Sequence, residues 1–213
     1  MNADNGMRRS FVARCIPKSG SSEWTNERGH SALRLCDLST LPRWGIKGRG
    51  TFPWLQAALA NIPLADNRAQ RQADGALIAR LSTGEALILP PLPGGHTKLA
   101  KAIEALPPEG LGACYPAPRR DSHCWFALTG AAAPRMFAKL CAVDLAADQF
   151  TDGAIAQTSV ARLSAIVIRH DDGDAICFFL LAESASAEYL WDCLLDAMAE
   201  FSGKVAKLPE RDD

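Results

Sequence analysis

Apolar and polar positions along this chain recur with two different periods, and the switches between them mark the elements. In "ALRLCDLS" (32–39) and "RWGIKG" (43–48) the spacing is strand-like, with Pro42 between them at an edge or bend. The period then lengthens. Trp54, Leu55, Ala58, Leu59 and Ile62 recur at helical spacing, behind Thr51 as an N-cap and Pro53 in a first turn. Two apolar runs around Ser82-Thr83-Gly84 in "GALIARLSTGEALILPP" predict a hairpin. A second helix follows, capped by Thr97, with Leu99, Ile103 and Leu106 on one face and Pro107-Pro108 as its stop.

The second half repeats this order. "SHCWFALTG" predicts a strand, and "AAAPRMFAKLCAV" a helix with Met136, Phe137, Leu140 and Cys141 inward. "GAIAQTSVARLSAIVIR" supplies one or two strands and "AICFFLLA" another, joined by a tight Asp171-Asp172-Gly173-Asp174 connection. Ser184 or Ser186 caps a last helix striped by Leu190, Leu194, Ala197, Met198 and Phe201 and ended by Gly203. The fold class is α+β, with two interleaved strand-helix subdomains and mostly antiparallel sheets. The expected organisation is an extended arm at 1–30, a first subdomain at 31–110, a second at 111–203 and a polar tail at 204–213. The Pro-rich stretch from Gly110 to Arg120 marks the internal boundary.

The two halves also match each other. A shift of 81 positions places Trp44 on Trp125, Pro53 on Pro134, Leu59 on Leu140, Ile62 on Val143 and Leu64 on Leu145, with Gly48 and Gly130 one residue out of step. A strand-Gly-helix unit present twice reads as scaffold. This bears on Gly45, Gly48 and Gly50, whose G-x-x-G-x-G order reverses the dinucleotide fingerprint and has only Asp66 or Asp74 as an acidic partner. The expectation is a close-packed turn, with a phosphate loop the weaker reading; Arg49 could meet an anion or water.

Composition removes several classes. With 23 basic and 24 acidic residues among 213 and a formal net charge of -1, the sequence has no broad basic face for nucleic acid. The longest apolar run, about Ala175 to Ala182, has strand length, so no membrane span is expected, and the N-terminus lacks a signal-peptide h-region. A cytoplasmic location follows as the default expectation. Seven cysteines without a C-x-x-C pair read as reduced thiols.

Few residues carry candidate chemistry. Strand alternation sends Asp121 and His123 to one face and Ser122 and Cys124 to the other, which keeps nucleophile and base apart and argues against a Cys-His or zinc site. Asp171, Asp172 and Asp174 lack the later glutamate of a calcium loop and read as a solvated turn. Trp44, Trp54, Trp125 and Trp191 fall on apolar faces as core residues. Phe11, Ile16 and Trp24 give the arm something to bury; Trp24 is open between a partner contact and folding back on this chain.

"RLCDLSTLPRWGIKG" followed by "WLQAAL" resembles the opening of the aminomethyltransferase (glycine-cleavage T-protein) superfamily. Residues 120–198, with "DS…W…LTG", "VDL…F…G…AQT" and "SAEYLWDCL", resemble the gamma subunit of heterotetrameric sarcosine oxidase. The likeness covers about residues 31–202 and implies the aminomethyltransferase folate-binding fold. It further implies a non-catalytic docking subunit in a complex that oxidises sarcosine to glycine, with alpha, beta and delta subunits as partners. FAD, FMN, NAD and tetrahydrofolate would belong to those partners and not to this chain. The family's acidic catalytic residue has no counterpart in "ARLSTGEALIL", and Arg169-His170-Asp171-Asp172-Gly173 stands where an R-x-G-Y-T-G-E-like run would be. No catalytic, cofactor-binding or metal residue is therefore assigned. The alternative is a stand-alone folate-binding relative using Glu85 or Asp74 toward the pterin, and a third reading is the structural subunit of another N-methyl amine oxidoreductase.

Overall fold

The hairpin expected at Ser82-Thr83-Gly84 organises the first sheet. In the computed structural model, which describes residues 10–16, 22–23, 32–58, 61–92, 94–95 and 97–207, β5 (Leu77–Ser82) and β6 (Glu85–Leu89) pair antiparallel around it. β3 (Trp44–Lys47), β4 (Arg68–Arg71) and β7 (Tyr115–Pro116) complete a five-stranded antiparallel sheet, in the order β4-β5-β6-β3-β7. The second sheet is built on β8 (His123–Thr129), β9 (Ile155–Val160), β10 (Leu163–Arg169) and β11 (Cys177–Glu183). β2 (Arg34–Asp37), β12 (Lys204–Lys207) and β1 (Ser22–Glu23) extend it to the order β1-β12-β2-β8-β11-β10-β9.

Side-chain alternation turns the two sheets into four layers. Ile46, Ile78, Ala86 and Ile88 pack outward from the first sheet against α1 (Thr51–Ala58) and α2 (Lys98–Glu104). Phe126, Leu128, Phe178 and Leu180 pack outward from the second, against α3 (Ala133–Phe137) and α4 (Ala187–Ala199). The alternate residues, Leu77, Ala79, Leu81, Leu87 and Leu89 on one sheet and Cys36, Trp125, Ala127, Phe179 and Leu181 on the other, face each other in a shared apolar core. Trp125 and Phe179 meet edge to face in it, with ring centroids 5.3 Å apart.

The internal repeat is visible in the topology. β3-α1-β4-β5-β6-α2 and β8-α3-β9-β10-β11-α4 follow the same course, with equivalent strand orders β4-β5-β6-β3 and β9-β10-β11-β8. Gly48 and Gly130 end the equivalent strands with φ of 123° and 116°, a region open to glycine, and each carbonyl accepts an N–H three residues on. The strand preceding each unit is exchanged: β2 pairs antiparallel with β8, and β7 with β3. The sequence boundary near residue 110 therefore does not separate the sheets, because each half lends one strand to the other.

Several local expectations are corrected. The polar tail beginning at 204 opens instead with β12, since Ala206 is buried between the sheets and the backbone pairs in parallel with β2. Residues 10–16 of the arm fold back on this chain: Val12 is fully buried, with Phe11, Cys15 and Ile16 against the α3–α4 core. Trp24 and Leu59 lie outside the described residues. Thr51 is the first residue of α1 and no cap; its buried hydroxyl donates to the Gly84 carbonyl at 3.3 Å. Neither Ser184 nor Ser186 caps α4; the Ser184 hydroxyl donates to the Asp121 carbonyl at 2.6 Å. α3 stops at Phe137, well short of Val143. Leu64 and Leu145 are not equivalent, being 92% and 2% exposed.

Candidate functional site

The glycine run that opened the phosphate question is a packing track. A Cβ on Gly48 or Gly50 would collide with the carbonyl of Ala113 or Gly112, and one on Gly45 would meet the Ala117 carbonyl and Arg119 Cγ, the latter at 2.9 Å. Residues 112–119, the link between the two halves, thus lie directly against the backbone of β3 and its turn. The turn's donors are also spent within the chain: Gly48 N–H on Gly84 O (2.8 Å), Gly50 N–H on Ala113 O (3.0 Å) and Thr51 N–H on Gly48 O (3.1 Å). A phosphate cradle requires such N–H groups to point outward. Arg49 is exposed beside the turn.

At Ser122–His123 the structure departs from the expected separation. Ser122 sits in the turn before β8, where strand alternation does not yet apply, and its Oγ lies 2.8 Å from His123 Nδ1. The polarity of this contact is nonetheless wrong for a nucleophile and base. Arg119 Nη1 faces His123 Nε2 at 3.5 Å and can only donate, which makes Nε2 the unprotonated nitrogen and leaves Nδ1–H to donate to Ser122. The Ser122 hydroxyl then donates to the Pro118 carbonyl at 3.4 Å. Burial, then the Arg119 charge, holds the imidazole down at a pKa of about 4, so it is neutral at pH 7 and a weak base. Cys124 points the other way into the α3–α4 core, where burial pushes its thiol up to about 11.

His123 does line a cleft. Leu81, Glu85, Arg119, Gln157, Ser164, Ala165, Ile166 and Leu181 complete the wall of a cavity of about 170 Å³ between the two repeats. Glu85 is an ion-pair partner of both Arg119 and Lys47, the latter at 3.2 Å. Of the two carboxylates considered for a pterin, only Glu85 reaches this cleft; Asp74 accepts the Ala76 N–H at 3.1 Å in a surface turn.

The remaining candidates are structural. Asp171 is no solvated turn residue: it receives Arg169 Nε and Nη2 at 2.8–3.0 Å and the Cys177 N–H at 3.2 Å. Arg169 spends its other arm on the carbonyls of Ala147 and Phe150. His170 packs on Phe179, and burial holds its pKa at about 4. Asp172 and Asp174 are exposed, and no group of three metal-ligating side chains occurs among the described residues, which exclude His30 and His96. Trp125 and Trp191 are fully buried, while Trp44 and Trp54 are half-buried against the α1–α2 core.

One central residue had no sequence signal. Arg43 is 1% exposed, and its guanidinium donates to the carbonyls of Ser39, Leu41, Arg120 and His123. It clamps the β2–β3 connection to the turn before β8. An arginine opening a strand-like run carries no local mark of burial, and two of the carbonyls that hold this one lie 77 and 80 residues away.

No protein-family model and no curated protein matches the sequence. Among solved structures, a chain of heterotetrameric sarcosine oxidase from Corynebacterium sp. U-96, in complex with pyrrole 2-carboxylate, superposes with a TM-score of 0.71 at 20% identity, covering 92% of this chain and 96% of that one. The glycine cleavage system aminomethyltransferase T from Bartonella henselae superposes with a TM-score of 0.62 at 15% identity, covering 83% of this chain but 48% of its own. This chain thus spans about half the length of that aminomethyltransferase and nearly the whole of the sarcosine oxidase chain. The α+β architecture, with its two mostly antiparallel sheets, is thus similar in fold to both of these proteins.

Proposed function

We propose that this chain is a non-catalytic, gamma-type subunit of a heterotetrameric sarcosine oxidase, serving to dock and position the larger subunits. The observation that carries this reading is the mutual coverage with a chain of such an enzyme, 92% against 96%, where the aminomethyltransferase is matched over only half its length. The complex would oxidatively demethylate sarcosine to glycine, pass the one-carbon unit to tetrahydrofolate and send electrons through flavin to oxygen. Its alpha, beta and delta subunits would hold FAD, FMN, NAD and the folate.

Geometry within this chain supports a division of labour. Three of the candidate groups among the described residues are engaged within the chain: Glu85 by two cations, Asp171 by Arg169, His123 by Arg119 and Ser122. Among the described residues, the cleft beside Glu85 does not suit tetrahydrofolate. Trp125, Phe179 and facing leucines fill the space between the sheets, and the cleft at about 170 Å³ falls below the roughly 300–1,000 Å³ of drug-sized ligand sites.

Two measurements on the purified full-length chain test the reading. Flavin absorbance and sarcosine oxidation are both expected to be absent from the chain alone and present once the partner subunits are co-expressed. Sarcosine turnover by the chain alone would overturn the proposal, and saturable tetrahydrofolate binding would favour the stand-alone folate-binding alternative.

A further inference from the structure

One apolar side chain of the first repeat is held out in solvent. Leu64, between α1 and β4, is 92% exposed, although its neighbour Pro63 is buried. The loop around it is tied down from below. Arg80 on β5 donates Nε to Asp66 at 2.7 Å and Nη1 to the Pro63 carbonyl at 3.3 Å, with its guanidinium over the Phe52 ring, 4.1 Å from the centroid. Gln72 donates to the Asn61 carbonyl at 2.9 Å, and the Asn67 N–H to the Arg80 carbonyl at 2.8 Å, so the ties lie on both sides of Leu64. The second repeat uses the same bracket to the opposite end. Arg80 pairs with Ala86 and Arg169 with Phe178, and these in turn face Ile46 and Leu128, each two residues before Gly48 or Gly130, so the two arginines hold equivalent strand positions. Arg169 grips the corresponding loop through the carbonyls of Ala147 and Phe150. There Leu145 and Phe150 turn into the α3–α4 core, at 2% and 7% exposed. The first repeat points its leucine outward instead, and its own core of Ile46, Phe52, Leu55 and Ile78 closes without it.

We propose that Leu64 is a docking anchor that inserts into an apolar pocket on a partner subunit of the complex inferred above, a proposal that rests on that reading. Single surface leucines are common and need no partner. What distinguishes this one is fixed presentation: a side chain already held by its loop loses little freedom on binding, so most of the transfer free energy of the leucine becomes affinity. The tip is neutral, with Leu64 and Ala65 flanked by Asn61, Asn67 and an Asp66 already paired with Arg80, which suits an apolar recess and not a charged surface. A second copy of this chain is the poorer fit, because the cleft between its repeats opens past the polar Gln157 and Ser164 and is walled by Arg119, Glu85 and His123.

Competitive assembly tests it. Wild-type and variant full-length chains are co-expressed with the proteins encoded beside the gene, and native mass spectrometry reads which chain enters the complex. Leu64→Asp is expected to be under-represented by roughly ten- to a hundredfold, the worth of burying one leucine side chain, while unfolding at the same temperature as the wild type. Leu64→Met, apolar and of similar volume, is expected to enter at near parity. Asp66→Ala, which loosens the loop and keeps the leucine, is expected to fall between the two. Equal entry of Leu64→Asp into a complex that the wild type joins would overturn the anchor and leave the docking role standing. Self-association of the wild-type chain in sedimentation, lost in Leu64→Asp, would show a second copy as the occupant and overturn it as well. A wild-type chain that joins no complex would overturn the docking role, and the anchor with it.

Discussion

Gly50 and Arg43 show how single residues hold the two halves together. Any side chain on Gly50 drives into the Gly112 carbonyl, and backbone cannot swing aside as a flexible side chain would. Gly50→Ala is expected to destabilise the chain by about 2–3 kcal/mol in urea unfolding; a loss under about 0.5 kcal/mol would contradict the packing track. Arg43→Met, of similar length, leaves four carbonyls without their cationic donor and is expected to cost about 3 kcal/mol or more. His123 and His170 add a pH dependence. Both have a folded pKa of about 4, below the unfolded value near 6.5. The unfolded chain thus binds more protons between those values, so the full stability is present above about pH 6.5 and is lost as pH falls toward 4. Solvent screening at these partly exposed rings limits the loss to the order of 1 kcal/mol per histidine. Denaturation curves at pH 7 and pH 4.5, with His170→Phe flattening the difference, check the sign.

At the scale of elements, what protects the chain's thiols is the layering. Cys36, Cys114, Cys124, Cys141 and Cys177 are buried in three separate cores, whereas Cys15 and Cys193 are half-buried at the α4 surface. Native thiol titration is expected to show two accessible groups, with Cys15 slowed because burial and the charges of Glu188 and Asp192 raise its pKa. Five fast thiols would mean that the sheets do not pack as described. Most of this layering was legible in the sequence: period-two runs named the long strands, and the shift that pairs Trp44 with Trp125 pointed to the repeated unit. Cap chemistry was less legible. Thr97 caps α2 as its spacing predicts, through its Oγ1 and the Ala100 N–H at 3.1 Å. Thr51 and Ser184 carry the same local signal, yet their hydroxyls are drawn to carbonyls 33 and 63 residues away. No local window contains those acceptors. The cleft was hidden for the same reason: it gathers Glu85, Arg119 and Gln157 from both repeats, and only strand exchange brings them together.

For the whole molecule, the exchange of β2 and β7 makes the repeats one cooperative unit, with the apolar inter-sheet core as their joint. Trp125→Ala opens a cavity in that joint and is expected to cost about 3–5 kcal/mol, with unfolding still a single transition. Trp125, Phe179 and the facing leucines fill that joint with side chains. The most direct measurement is native mass spectrometry of the chain co-expressed with the proteins encoded beside its gene, alongside the chain expressed alone. The account predicts one stoichiometric flavin-bearing complex in the first sample that oxidises sarcosine, and an inactive, flavin-free chain in the second. A chain that stays separate from every co-expressed protein, or that turns over sarcosine by itself, would contradict it.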